Sequence, residues 1–140
     1  MKLLLLALLA AQLFASNLDI KCLAQNIYHE ARSSNLADQA AVADVVLNRV
    51  ESSKYPNTIC EVVWQRKQFS WTHDGKSDRM RDTDAAKSAY YVAYQMLTYG
   101  RFRGISEKSD HYHATYVKPY WAKSFELVGT IGKHRYYRSN

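Results

Sequence analysis

The segment with the clearest chemical potential is residues 26–32 (NIYHEAR), because it places one carboxyl at the border of an apolar helix face. On a helix, the i, i+3, i+4 spacing gathers one apolar face made of Ile20, Leu23, Ala24, Ile27 and Ala31. At roughly 100° per residue, Glu30 falls about 60° from Ile27, at the edge of that face. A partly desolvated carboxyl has a raised pKa, as a general acid near neutral pH requires. Taken alone, the position fits a solvated flanking glutamate better.

Residues 68–71 (QFSW) supply a second set of polar and aromatic side chains, in a long irregular segment of the kind that often carries function. Gln68 and Ser70 could give amide and hydroxyl hydrogen bonds to a substrate. Of the two aromatics, we expect Phe69 to lie in the core and Trp71 to be exposed and available for stacking. The alternative is that both rings only pin the loop to the core.

Histidines near the C-terminus form the third set. Alternation along a strand places His111 and His113 on one face and Tyr112 on the other. Tyr112 or a histidine could hydrogen-bond a substrate or orient Glu30, although surface polarity explains these residues equally well. For His134, a structural hydrogen bond and a substrate contact are weighed evenly.

The elements that would position these residues are mainly helical. The patterns predict a first helix from residue 17 or 18 to residue 32, and a buried second helix over 36–51 capped by Asn35. They also predict a short helix from Thr58 to residue 64, and a third long helix over 83–99 that Gly100 ends. Its predicted core face consists of Ala86, Ala89, Tyr90, Ala93 and Leu97. Runs at 111–117 and 134–138 favour strands, so the predicted class is mainly α (α+β).

The N-terminus reads as an export signal followed by one domain. Lys2 precedes an apolar run over residues 3–11 that extends to residue 15, which is typical of a secretory leader and short for a membrane span. We expect a signal peptide, or an uncleaved anchor, over 1–16 and a single domain over 17–140. In an exported chain Cys22 and Cys60 could form one disulfide, worth about 3–4 kcal/mol in the chain-entropy model, or remain buried thiols.

The charge balance favours an anionic polymer as partner. The chain carries 19 Lys and Arg against 13 Asp and Glu, a net charge of +6. That balance suits nucleic acid, an anionic membrane surface or an anionic cell wall, and export argues against nucleic acid. Eleven tyrosines and three tryptophans suit sugar stacking, although packing is their default role.

Five ordered segments resemble the SleB-like cell-wall hydrolases, the family that includes spore cortex-lytic enzymes. The similarity extends from Cys22 to Tyr137. The segments are YHEAR (28–32), QAAVADVVLNRV (39–50), YPNTICEVV (55–63), QFSW (68–71) and IGKHRYY (131–137). One departure is that Ser33 and Ser34 stand where the family often has Gly-Glu, so any role of that second acidic residue is absent or served elsewhere.

The resemblance implies a lysozyme-like fold that cleaves peptidoglycan glycan strands, with Glu30 as the catalytic glutamate. A hydrolase of the usual design needs a second carboxylate. The sequence offers several and singles out none of them: Glu51, Glu61, Asp74, Asp78 and Asp82. A lytic transglycosylase avoids this requirement, because the C6 hydroxyl of the substrate attacks and forms a 1,6-anhydro product. We therefore favour a transglycosylase over a muramidase.

The expected partners follow from this interpretation: peptidoglycan glycan strands, no nucleic acid, no stable membrane insertion after signal cleavage, and no cofactor. We expect an exported monomer that acts in the periplasm, the cell wall or the extracellular space. Two other classes stay open. A zinc-dependent wall amidase or peptidase could draw ligands from the histidines and Glu30, although the HExxH frame is absent. A non-catalytic wall-binding module would leave the position of Glu30 unexplained.

Overall fold

The chain folds as a mainly helical α+β protein, as the sequence predicts. The computed structural model describes the backbone of residues 2–65 and 69–140, and the side chains of that part from residue 17 onward. Its helices are α1 (Lys2–Ala31), α2 (Leu36–Glu51), α3 (Ile59–Val63) and α4 (Thr83–Tyr99). Two 3-10 turns, Ser70–His73 and Tyr120–Lys123, lie in the segments between the larger elements.

The predicted helix ends are confirmed where a capping residue determines them. The Asn35 side chain accepts a hydrogen bond from the backbone N–H of Asp38, and Thr58 caps α3 in the same way. Gly100 ends α4 in the left-handed region, at a φ of 68°. Short polar side chains and a glycine therefore mark these boundaries in the sequence itself.

The first helix is longer than predicted: α1 begins at Lys2 and includes the apolar run that is predicted to be a leader. No glycine or proline interrupts residues 2–31, so the sequence contains no strong stop signal between the leader and residue 17. Within the part of the chain that the structure describes, no helix has the length and apolarity needed to cross a membrane. Cleavage of the leader remains a prediction.

The centre of the core is α2, as predicted from its apolar composition. Ala40 to Val46 are buried along this helix, and α1, α3 and α4 pack around it. One residue of the predicted α4 core face is wrong: Tyr90 is 37% exposed. The buried face of α4 is rotated away from Tyr90 and consists of Ala89, Val92, Ala93 and Met96. The disulfide between Cys22 and Cys60 is present and joins α1 to α3.

A three-stranded antiparallel sheet completes the fold. Its strands are β1 (His111–Ala114), β2 (Glu126–Ile131) and β3 (His134–Arg138), in the order β1-β3-β2. The sequence patterns predict β1 and β3 but miss β2. Its sequence, ELVGTI, mixes polar and apolar residues and contains a glycine. The turn between β2 and β3 approaches the start of α2 closely: a Cβ on Gly132 would lie 2.6 Å from Ser34 Oγ and 2.8 Å from Asp38 Cβ. This contact fixes β3 against α2.

Candidate active site

A cleft of about 1340 Å³ lies between the C-terminal end of α1 and the sheet. His29 and Glu30 contribute from α1 and Arg49 from α2, while the turn at residues 70–74 forms one side. Strand β1, His134 of β3 and the loop after β1 form the other side. Elements from both ends of the chain therefore meet at Glu30.

The half-buried carboxyl of Glu30 has an acidity suited to proton transfer near neutral pH. Burial raises its pKa from 4.5 to about 7, because the charged form loses water on most sides. The charges of His134 and Arg49 and the nearby hydroxyl of Tyr112 lower the pKa and offset part of this increase. The structure thus gives Glu30 the partial desolvation that its position on the helix suggests.

Arg49 is a positively charged side chain that acts on Glu30 and is held in a fixed position. Its side chain is only 4% exposed, and its Nε–H donates to the backbone carbonyl oxygen of Asp110 at 2.8 Å. Its guanidinium lies over the rings of Tyr55 and Phe69, about 5 Å from each centroid. Arg49 is therefore held in place, and its charge favours the carboxylate form of Glu30.

His134 is held by a buried carboxylate on α2. Its Nδ1–H donates to Asp38 Oδ2 at 2.7 Å, and Asp38 is fully buried. Asp38 also accepts from Tyr136 Oη at 2.6 Å and Ser34 Oγ at 2.5 Å. Burial raises the pKa of Asp38, but the hydrogen bonds from His134, Ser34 and Tyr136 outweigh it, so the net pKa is lowered. The ionised Asp38 therefore fixes the ring of His134 at the cleft.

Two buried polar atoms near the cleft, Tyr112 Oη and Asn26 Nδ2, have no well-formed hydrogen bond among the residues that the structure describes, although the Tyr112 hydroxyl lies close enough to Glu30 to lower its pKa. Burial, followed by the nearby charge of Glu30, keeps the pKa of Tyr112 well above its usual range. Its hydroxyl is therefore a permanent donor. A buried donor without a well-formed hydrogen bond is costly, and a substrate oxygen in the cleft would satisfy it.

The outer rim of the cleft carries aromatic side chains that the sequence analysis missed. Trp121 packs at about 5 to 6 Å, between ring centroids, from His111, His113 and Tyr137. On this support, Tyr116 and Tyr120 line the cleft and are 88% and 92% exposed. Only the high tyrosine count hinted at such a surface, since no motif distinguishes these residues.

Most of the predicted site residues meet at the cleft. Those that line it together with Glu30 are Ser70, His111, Tyr112, His113 and His134. The predicted alternation holds: His111 and His113 both contact Trp121, while Tyr112 packs against His134 and Tyr136 on the other face. Gln68 lies outside the described residues.

The prediction that Trp71 is exposed is wrong, because its ring is only 7% exposed. Its indole Nε1–H donates to Asn26 Oδ1 at 2.9 Å, and its ring stacks on His29 at 4.5 Å. A buried indole needs such a polar partner, and Asn26 supplies it from inside the core. Trp71 therefore lies behind the cleft and supports His29, and Phe69 is buried as expected.

Among the carboxylates proposed as a second catalytic group, Asp74 lines the cleft. Glu51 pairs with Arg103, Asp82 caps α4, and Asp78 lines a separate groove. For zinc chemistry, no group of three His, Cys, Asp or Glu side chains within residues 17–65 and 69–140 is arranged to hold a metal ion.

Comparison with known proteins gives a family match and several relatives. A family model described as Cell Wall Hydrolase matches residues 33–137, a region that begins just after Glu30. The spore cortex-lytic enzyme of Bacillus subtilis is 38% identical over 74 residues, covering 53% of this chain and 24% of that protein. That of Bacillus cereus is 40% identical over 58 residues, covering 41% of this chain and 22% of the relative. The matches thus span about a quarter of these relatives' length.

Two solved structures share the fold over most of the chain. The catalytic domain of the germination-specific lytic transglycosylase SleB from Bacillus anthracis superimposes with a TM-score of 0.68 at 28% identity. That similarity covers 86% of this chain and 93% of the other. The catalytic domain of the Bacillus cereus SleB protein gives a TM-score of 0.67 at 26% identity, covering 86% and 89%. The expected fold class and family resemblance are confirmed.

Proposed function

This chain belongs to the cell wall hydrolase family, and we propose that it cleaves the β-1,4 bond between muramic acid and glucosamine in peptidoglycan as a lytic transglycosylase. Glu30 is the catalytic acid and base of the proposal. The observation that carries it is the half-buried Glu30 carboxyl in the cleft, with a pKa raised to about 7 beside Arg49 and His134. The fold shared with a lytic transglycosylase supports the same reaction.

In the first step, protonated Glu30 donates its proton to the glycosidic oxygen. The bond from that oxygen to C1 of muramic acid breaks, and an oxocarbenium-like centre forms at C1. Glu30 becomes a carboxylate in a site that disfavours charge, and the positive charges of Arg49 and His134 stabilise it. Both side chains are held in place before the reaction, Arg49 by the carbonyl oxygen of Asp110 and His134 by Asp38, so little reorganisation is needed.

In the second step, the Glu30 carboxylate takes the proton from the C6 hydroxyl of the same muramic acid. The C6 oxygen attacks C1 and closes a 1,6-anhydro ring, so no water is consumed and Glu30 is protonated again. One carboxyl thus serves both steps. A pKa of about 7 suits this double role, because neither protonation state is strongly favoured at neutral pH.

The remaining cleft residues would hold the glycan. Ser70, His111, His113 and the hydroxyl of Tyr112 offer hydrogen bonds to sugar oxygens. At the rim, the exposed rings of Tyr116 and Tyr120 offer flat amphipathic surfaces for sugar rings. These contacts fit a polysaccharide better than a small polar molecule, because they extend along the cleft.

A muramidase is the second candidate, and the position of Asp74 favours it. Asp74 lines the same cleft as Glu30, so it is the carboxylate that could activate water or stabilise the positive centre. It is exposed, and its Oδ1 accepts from the backbone N–H of Lys76 at 2.9 Å. This environment leaves Asp74 solvated, unlike Glu30.

Mass spectrometry of the fragments released from purified peptidoglycan tests the proposal directly. We expect anhydro-muramic ends from the wild type and none from Glu30→Gln. Reducing ends that disappear in Asp74→Asn would replace the transglycosylase by the muramidase. Freed stem peptides, with activity lost to EDTA and restored by zinc, would instead indicate the amidase or peptidase class.

The cellular setting of the proposal is extracytoplasmic, because the proposed substrate lies outside the membrane. We propose that residues 1–16 direct export and that the mature protein acts as a monomer. N-terminal sequencing of the secreted protein checks the first statement. Light scattering of the purified protein checks the second.

A further inference from the structure

A second groove of about 820 Å³ lies beside the catalytic cleft and has a positive lining. Lys21 contributes from α1, and Arg79 and Arg81 from the segment before α4. Tyr90 closes the groove from α4, which explains why this tyrosine is exposed and not in the core. The acidic side chain in the lining is Asp78.

The three cations of this groove have no salt-bridge partner among the described residues. Two arginines elsewhere do: Arg103 pairs with Asp44 and Glu51, and Arg138 pairs with Glu126. Unpaired cations that surround one concave surface raise the local concentration of anions. The groove is therefore suited to a ligand that carries several negative charges.

The groove and the cleft are neighbours along one face of α1. Lys21, Gln25 and His29 follow one another at intervals of four residues, so they lie on the same side of the helix. His29 lines the cleft, and its Nε2–H donates to the backbone carbonyl oxygen of Asp78 at 2.9 Å. Asp78 in turn lines the groove. A polymer that extends from the cleft over this contact would reach the groove.

We propose that this groove, defined by Lys21, Arg79, Arg81 and Tyr90, is a second binding site that holds the carboxylate-bearing peptide part of the peptidoglycan whose glycan occupies the cleft. The inference rests on the proposed function for the identity of the polymer. The three cations pair with stem-peptide carboxylates, and Tyr90 packs against the peptide. Holding the wall outside the cleft keeps the enzyme on an insoluble substrate between cleavages.

Binding to insoluble peptidoglycan tests the site when cleavage is blocked by Glu30→Gln. In that background we compare Lys21→Gln, Arg79→Gln and Arg81→Gln combined with a matched triple variant, Lys54→Gln, Lys108→Gln and Arg135→Gln. The control removes the same charge from exposed positions that line neither the groove nor the cleft. We expect the groove variant to lose about tenfold in affinity at low salt and the control to change little.

Turnover of a short soluble glycan without stem peptides separates this inference from the proposed function. With Glu30 intact, the groove variant keeps kcat and KM on that fragment, because the fragment occupies only the cleft. A wild type that releases no glycan fragments contradicts the proposed function, whereas equal affinity of the two triple variants for the wall overturns the groove.

Two further arms identify the source of the negative charge. Peptidoglycan stripped of phosphate polymers is expected to bind as well as the untreated wall and to show the same tenfold difference. Disappearance of the difference after stripping would assign the groove to phosphate polymers and overturn the proposal. The same holds if only anionic lipid vesicles, and not peptidoglycan, distinguish the groove variant from its control.

Discussion

The pKa values of two carboxyl groups eight residues apart, Glu30 and Asp38, are shifted in opposite directions in this protein. Glu30 ends the apolar face of α1, where burial raises its pKa to about 7 and the nearby charges only partly compensate. Asp38, in the first turn of α2, is fully buried, yet its pKa is lowered because three side chains donate hydrogen bonds to it. Burial alone therefore does not determine acidity; hydrogen-bond donors and nearby charges also shift the pKa of a carboxyl.

The difference separates two tasks within one site. The satisfied carboxylate, Asp38, stays ionised and holds β3 and His134 in place. The carboxyl with few donors, Glu30, remains able to gain and lose a proton. If both carboxylates were fully hydrogen-bonded, the site would be stable but neither group would exchange a proton near neutral pH. If neither were hydrogen-bonded, the site would be too unstable to keep its geometry.

The largest expected effect comes from replacing the carboxyl group of Glu30, which has few hydrogen-bond donors. Glu30→Gln is expected to lower peptidoglycan cleavage by about 10³-fold, because an amide cannot donate the proton or take it back. Turbidity loss of a peptidoglycan suspension measures the rate, and circular dichroism shows whether the fold is retained. Near-normal activity in a folded Glu30→Gln protein would contradict the role of Glu30.

The satisfied member is tested by Asp38→Asn. We expect the free energy of unfolding to fall by about 3 kcal/mol, because His134, Tyr136 and Ser34 lose a charged acceptor inside the protein. Urea denaturation measures it. Asp44→Asn is a matched control, since Asp44 is also fully buried and accepts from Arg103 and Ser106 away from the cleft. Both variants are expected to lose stability, but only Asp38→Asn is expected to change the pH dependence of cleavage.

The pH dependence of stability distinguishes the two carboxylates by sign. Because folding raises the pKa of Glu30 from 4.5 to about 7, the folded wild type loses stability as the pH rises through that interval. Glu30→Gln lacks this loss and is expected to gain up to about 2–3 kcal/mol relative to wild type between pH 4 and pH 9. Urea denaturation at both pH values measures the gain. A stability difference that is constant with pH would argue against the raised pKa.

The smallest expected effect concerns His134, which is hydrogen-bonded to Asp38 and whose charge acts on Glu30. The charge of His134 lowers the pKa of Glu30, so His134→Gln is expected to move the alkaline limb of kcat/KM to higher pH by up to about one unit. The profile is measured with soluble glycan fragments. A lower rate with an unmoved limb would mean that His134 contacts the substrate without tuning Glu30.

Local sequence signals predicted much of the fold and the position of Glu30. Asn35, Thr58 and Gly100 mark helix ends because capping is a local interaction, and the 3.6-residue period brought Glu30 to a helix border. The sequence also predicted that His111 and His113 share a face. These inferences need only the neighbouring residues in the chain.

Interactions between distant segments account for what the sequence did not show. The exposure of Trp71 was mispredicted because its partners, Asn26 and His29, lie more than 40 positions earlier. The pairing of Asp38 with His134 joins residues 96 positions apart, and no local sequence pattern predicts it. Strand β2 was missed because Gly129 interrupts its apolar residues, and its pairing with β3 cannot be read from neighbouring residues.

The position of His134 also sets when in the life of the chain the site is complete. Glu30 comes from the first helix and His134 from the last strand, with Gly132 allowing that strand to press against α2. A ribosome that has made α1 to α4 has produced Glu30, the proposed acid, but not the strands that line the other side of its cleft. The cleft around Glu30 is therefore incomplete while the polypeptide is being synthesised. It is complete only after the last strand, β3, has been made.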